Sequence, residues 1–256
     1  MEPSSQCTKI SQGFGIMLQN IFRKIEPILI RLYYRLRYPF PPNLRGDREI
    51  EWSWIVANLP RGPGRALDFG CGGSYLSLIA ARCGFKTTAI DLAPIHWFYI
   101  HPNLNFIQKD IFDLDFIPES FDLIINCSSI EHVGLVGRYG VKEKRPDGDV
   151  KAMVEMKKLL KPEGRMLLTI PIGQDAVFPP LHRVYGKRRL PELLDGYAIE
   201  KEEYWSKNDK NQWILAEKSE ALDLRSNRNF YGLGCFVLQA KKTKLEPIAK
   251  FPPKMV

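Results

Sequence analysis

The run Ala66-Leu67-Asp68-Phe69-Gly70-Cys71-Gly72-Gly73-Ser74 constrains this chain more than any other stretch. A short apolar segment ends in an acid region, crosses a glycine-rich turn and enters the helix-like Tyr75-Leu76-Ser77-Leu78-Ile79-Ala80-Ala81-Arg82. Strand, tight loop and helix N-terminus in this order are how doubly wound sheets hold a nucleotide-like ligand. Gly70 and Gly72 allow the sharp turn and let backbone approach a ligand with no Cβ in the way.

Two ligand classes compete for such a loop. A dinucleotide site needs a third glycine for close packing of helix on strand, and Tyr75 occupies that place. The pattern is instead Asp-x-Gly-x-Gly, with Asp68 two residues before Gly70. A carboxylate there repels a pyrophosphate and suits a cation. The expected ligand carries positive charge and no phosphate, as S-adenosylmethionine does.

Four further segments follow in order: Lys86–Asp91, Phe106–Ile111, Phe121–Cys127 running into Ser128-Ser129-Ile130-Glu131-His132-Val133, and Met156–Arg165 leading to Met166–Ile170. Together with the glycine loop they resemble the class I S-adenosylmethionine-dependent methyltransferases, most strongly between Arg65 and Gly173. The resemblance implies an α/β fold, a doubly wound, Rossmann-like seven-stranded sheet with an antiparallel last strand. It implies S-adenosyl-L-methionine as cofactor, held by Asp68, Gly70, Cys71, Gly72, Asp91, Leu92, Asp110, Ile111, Cys127 and Ser128. An acid after the second strand receives ribose hydroxyls in either cofactor class, which suits Asp91. Asp68 and Asp91 also suit plain helix N-caps.

Ligands of open α/β sheets lie beyond the carboxyl ends of the strands, which places Glu131 and His132 at the reaction mouth. An alcohol acceptor needs a base, and an imidazole titrates close to neutral pH. His132 is therefore the expected base, with Glu131 orienting it or binding substrate. The alternative is that the two cap and pack a short helix. Glu131-His132-Val133-Gly134-Leu135 followed by Gly137-Arg138-Tyr139-Gly140 resembles a type 11-like subset linked to small molecules and glycans. Arg138, Tyr139, His182, Arg183 and Tyr185 are the expected contacts of a polar small-molecule or glycan acceptor, and Asp149 a helix cap. No metal site is expected, because Glu131 and His132 lack a further carboxylate of the kind a hard ion needs.

Three segments are expected: a basic amphipathic helix and linker over 1–45, a methyltransferase domain over 46–240, and a basic tail over 241–256. The net charge of +8 sits at the ends, +5 in residues 1–45 and +4 in residues 241–256. The body is therefore not a basic nucleic-acid surface, and nucleic acid is not expected as a partner. Apolar residues at helical spacing over 14–38 read two ways: a helix packed on the domain edge, or an interfacial helix making peripheral contact with an anionic membrane. Pro27 is expected to kink it. Five cysteines without metal-type spacing fit a reducing, cytoplasmic setting. The rival functions are an RNA or protein methyltransferase and a non-catalytic module that keeps the cofactor fold.

Overall fold

The structure is a computed structural model that describes residues 22, 25–30, 32–33, 36, 47–210 and 212–241. The expectations for residues 14–21 and for the tail beyond Lys241 lie outside the described residues. The chain divides into two units, Met1–Asn43 and Leu44–Val256. In the first, residues 25–30 are helical, Pro27 included, and Phe22, Ile25, Ile28, Leu29, Leu32 and Leu36 are exposed. Among the described residues no helix is long and apolar enough to cross a membrane.

The second unit begins with α1 (Asp47–Asn58), β1 (Gly64–Phe69), α2 (Leu76–Arg82), β2 (Phe85–Asp91), β3 (Leu104–Gln108) and β4 (Phe121–Cys127). Then come α3 (Gly148–Leu159), β5 (Leu160–Ile172), β6 (Ala176–Phe178), β7 (His182–Val184) and α4 (Arg189–Leu193). Last are β8 (Tyr197–Lys207), β9 (Trp213–Leu215), α5 (Lys218–Asp223) and β10 (Gly232–Ala240).

The main sheet runs β3-β2-β1-β4-β5-β10-β8-β9, with β6-β7 a separate hairpin. Strands β1 to β5 pair in parallel, and β10 lies antiparallel between β5 and β8. The expected seven strands are present, and Trp213–Leu215 adds an eighth at the edge. That short strand pairs with Trp205–Lys207 of β8, and the helix after it begins at Lys218.

Alternation along the strands sends side chains to opposite faces. Leu67, Ile124, Met166, Leu168 and Phe236 pack with Met153, Met156 and Leu190 on one side. Ala66, Leu123, Ile125, Leu167 and Cys235 pack with Ile55, Trp54, Leu76 and Ala80 on the other. Both faces are covered, as a largely parallel sheet requires. Strand order reverses between β1 and β4, so their carboxyl ends open a crevice at the switch point.

Candidate active site

The crevice holds a cavity of about 570 Å³, within the range of small-molecule sites. The end of β1 supplies Asp68, Phe69, Gly70, Cys71 and Gly72; β2 supplies Asp91 and then Leu92; the chain after β3 supplies Asp110 and Ile111. Cys127, Ser128 and His132 line it from beyond β4. All ten expected cofactor residues therefore face one space.

The glycine loop is fixed from several sides. Gly70 has φ +64°, and a Cβ there would stand 2.6 Å from the Ser129 side chain. Ser129 Oγ donates to the Gly70 carbonyl at 2.9 Å, which ties the loops after β1 and β4 together across the switch point. Asp91 accepts from the Gly72 N–H at 3.0 Å and from the Ala93 N–H at 2.9 Å. A Cβ at Gly72 or Gly73 would meet nothing within 4 Å, so this backbone borders open space.

No helix forms between β2 and β3. The aromatic segment instead buttresses the loop. Trp97 Nε1 donates to the Gly72 carbonyl at 3.3 Å and Tyr99 Oη to the Ser74 carbonyl at 2.7 Å. The two rings stack with centroids 5.2 Å apart. Phe98 between them and Ile100 just after are fully exposed.

Burial raises the Asp68 carboxyl to about 7, and the nearby Asp91 adds to the shift. Ser77 Oγ donates to it. Cys71 has its thiol raised by burial and by Asp68 and Asp91, so it stays protonated and contributes backbone rather than chemistry. Asp110 caps a 3-10 turn through the Phe112 N–H at 3.2 Å and faces the Arg145 guanidinium at 3.4 Å.

At the other end, Glu131 and His132 sit on a one-turn 3-10 segment, Ile130–His132. Ser128, just before it, takes φ +45°, a conformation costly for a non-glycine residue. The His132 Nδ1–H donates to the Leu181 carbonyl. A carbonyl only accepts, so this contact fixes the tautomer and leaves the lone pair on Nε2. Burial lowers the imidazole to about 4 and raises Glu131 to about 8. Nε2 lies 3.6 Å from Glu131 Oε1. Between those values both groups are uncharged, so the pair is no salt bridge at neutral pH. The Glu131 Oε2 atom is buried with no hydrogen-bond partner among the described residues.

The segment 133–146 roofs the cavity. The Tyr139 ring packs at a tilt against the His132 ring, centroids 4.6 Å apart, and Arg138 lies over Tyr139 at 4.4 Å. Val141, Lys142, Glu143 and Arg145 line the space toward Asp110. Arg138 and His182 do not line it directly. His182 packs against Tyr231 at 5.0 Å and Phe178 at 5.7 Å, and the Arg138 charge helps lower both imidazoles.

Three expectations change. Arg183 is 1% exposed and spends its guanidinium on the carbonyls of Glu131, Val133, Arg145 and Pro146. Tyr185, fully buried, donates to Asp149 at 3.1 Å. With every donor used inside the protein, neither is free to contact an acceptor. Asp149 does not cap α3 either; it is buried as the shared counter-ion of Arg183 and Arg189. Helix α1 adds Arg48, which the sequence did not flag, and of its two tryptophans Trp52 lines the cavity while Trp54 joins the core. Arg48 is paired with Glu51 at 3.0 Å, and despite burial that carboxylate raises its guanidinium above the ordinary value. Among the described residues, no group of three or more His, Cys, Asp and Glu could hold a metal.

Fold and crevice together define the class: this is the fold of the class I S-adenosylmethionine-dependent methyltransferases. A Burkholderia thailandensis 1,6-didemethyltoxoflavin-N1-methyltransferase, solved with S-adenosylhomocysteine, superposes with a TM-score of 0.51 at 16% identity over 90% of both chains. MccD superposes with a TM-score of 0.51 at 11% identity over 78% of this chain and all of that one. In sequence, a Xanthomonas oryzae ubiquinone biosynthesis O-methyltransferase is 30% identical over 128 residues, 47% of this chain and 48% of the relative. YqeM of Bacillus subtilis, provisionally described as a methyltransferase, is 27% identical over 47% of each. The chain spans about half the length of the curated relatives it matches. Residues 110–233 match the family described as "Caenorhabditis protein of unknown function, DUF268".

Proposed function

We propose that this chain is an S-adenosylmethionine-dependent methyltransferase acting on a hydroxyl of a sugar or other polar small molecule. One observation carries the reading: a single cavity joins the acids Asp68, Asp91 and Asp110 to an imidazole locked with its Nε2 lone pair free. When bound, the cofactor supplies an electrophilic methyl group on a sulfonium. Asp68 suits the cationic end, since a carboxyl raised to about 7 is held ionised by a nearby positive charge. Asp91 suits ribose hydroxyls, Asp110 and Ile111 suit adenine, and Arg48 suits a carboxylate.

His132 accepts the acceptor's proton as the new bond forms. Burial keeps the imidazole neutral, and Glu131, protonated below about pH 8, adds no charge beside it. Ser128 and Tyr139 flank that end of the cavity. The names of the ubiquinone and toxoflavin enzymes support a small-molecule acceptor. The near-neutral body speaks against the RNA alternative. Calorimetry with S-adenosylmethionine is the test. Wild type binds, and Asp91→Ala weakens binding roughly 100-fold, the loss expected for two charge-assisted hydrogen bonds that order the loop. No binding by wild type, or unchanged binding by the variant, rejects the reading.

The exposed apolar residues of the first unit favour a second reading, peripheral contact with an anionic membrane. Flotation with phosphatidylserine vesicles checks it: deletion of residues 1–38 abolishes co-flotation, and unchanged flotation removes the idea.

A further inference from the structure

We propose that Arg183 is a positioning residue, a staple that closes the base of the 133–146 roof and fixes the backbone on both sides of His132. The inference rests on the cavity reading above. A guanidinium offers five N–H donors in a rigid fork, and here the fork spans the roof's two ends. Nη1 donates to the carbonyl of Val133 at 2.7 Å and of Glu131 at 3.2 Å, the residues flanking His132. Nη2 donates to Pro146 at 3.0 Å and Arg145 at 3.3 Å, where the roof returns to α3. Nε faces Asp149 at 3.5 Å.

The same short strand also positions the imidazole, because Leu181, next to β7, supplies the carbonyl that takes the His132 Nδ1–H. The roof's base is tight around this point. Arg145 N–H donates to the Gly134 carbonyl at 3.1 Å, and Gly134 takes φ +75° with no room for a Cβ against the Arg145 carbonyl. Between the stapled ends the roof touches the site at Tyr139 on His132 and at Arg145 on Asp110. The guanidinium thus sets both the tautomer-bearing turn and the cover over the cavity, while touching neither the cavity nor any ligand space.

Lysine at this position keeps the charge opposite Asp149 but has no fork to bridge four carbonyls. The test is amide hydrogen exchange on the whole chain, with ¹⁵N chemical shifts of the His132 ring as a second readout. In Arg183→Lys, amides of residues 133–146 exchange at least tenfold faster while those of β1, β4 and β5 keep wild-type rates. The His132 ring loses its single Nδ1–H signature. Tyr185→Phe, which removes the hydroxyl's bond to Asp149 and no contact of Arg183, leaves both readouts at wild type. Wild-type exchange and tautomer in Arg183→Lys overturn the proposal. Uniformly faster exchange, or failure to fold, overturns it as well, because Arg183 would then hold the domain rather than the roof. Neither readout needs cofactor, so failure of wild type to bind S-adenosylmethionine rejects the methyltransferase reading and leaves the staple standing.

Discussion

The two ends of the cavity are put together from different amounts of chain. The end proposed for adenosine draws Asp68, the glycine loop, Asp91 and Asp110 from consecutive β-loop units, and its carboxylates accept from backbone N–H groups close by. The end proposed for the acceptor gathers Arg48 from α1, Ser128 and His132 from beyond β4, Tyr139 from the roof, and the Leu181 and Arg183 contacts from β7 and its lead-in. Its bonds run from side chains to the carbonyls of segments distant in sequence. The first end is a property of a local motif. The second exists only when distant segments have met, so a substitution there acts on chemistry and loop order before it acts on cofactor affinity.

The largest separation of the two ends is expected from His132→Ala. It lowers turnover by roughly 10²- to 10⁴-fold, the usual worth of a positioned base, and leaves the S-adenosylmethionine Kd near wild type. Parallel loss of both, seen by calorimetry beside a methyl-transfer assay, would merge the two regions into one. Next come the loop glycines. Both Gly70→Ala and Gly72→Ala are strained by a positive φ, +64° and +51°, but only Gly70→Ala also collides, with Ser129. Urea unfolding should show Gly70→Ala destabilised by about 1–3 kcal/mol more than Gly72→Ala, the cost of forced overpacking.

A smaller effect is the pH dependence of cofactor binding. Asp68 is raised to about 7 in the free protein, and a cation beside it favours the ionised form. Affinity therefore rises with pH, by about tenfold between pH 6 and 8 for one linked proton. The stability of the free protein moves in the opposite sense: the raised carboxyl's contribution is complete below its unfolded value and is lost as pH climbs through about 7. Titration calorimetry at three pH values reads the first, and a flat profile removes Asp68 from the cationic end. The least effect is expected from Phe98→Ser or Ile100→Ser, both fully exposed, which should stay within about 0.5 kcal/mol of wild type.

The glycine-loop end of the cavity was legible in sequence because strand, glycine turn and helix follow one another without interruption, and the resemblance to the methyltransferases then pointed to Asp91 and Asp110. Arg48 was not, since α1 precedes the motif, and only the three-dimensional arrangement tells which of the two α1 tryptophans turns to the cavity and which to the core. Arg183 and Tyr185 looked like acceptor contacts because polar residues at loop ends usually meet solvent or ligand. Their partners are carbonyls and one buried carboxylate, and a carbonyl leaves no trace in residue identity. Asp149 misled for a related reason: an acid at a helix start reads as a cap, and only the approach of Arg183 and Arg189 shows it as an internal counter-ion.

Strand β10 carries a consequence for synthesis. Among the described elements it is the last in chain order, yet it occupies an interior place in the sheet, flanked by β5 and β8. Until residue 240 has emerged, both neighbours present open edges that invite pairing with other chains. A nascent chain can form its glycine loop early, but must be shielded until the final strand slides between two already made. A premature stop shortly before Gly232 would thus leave a split sheet rather than a shortened one.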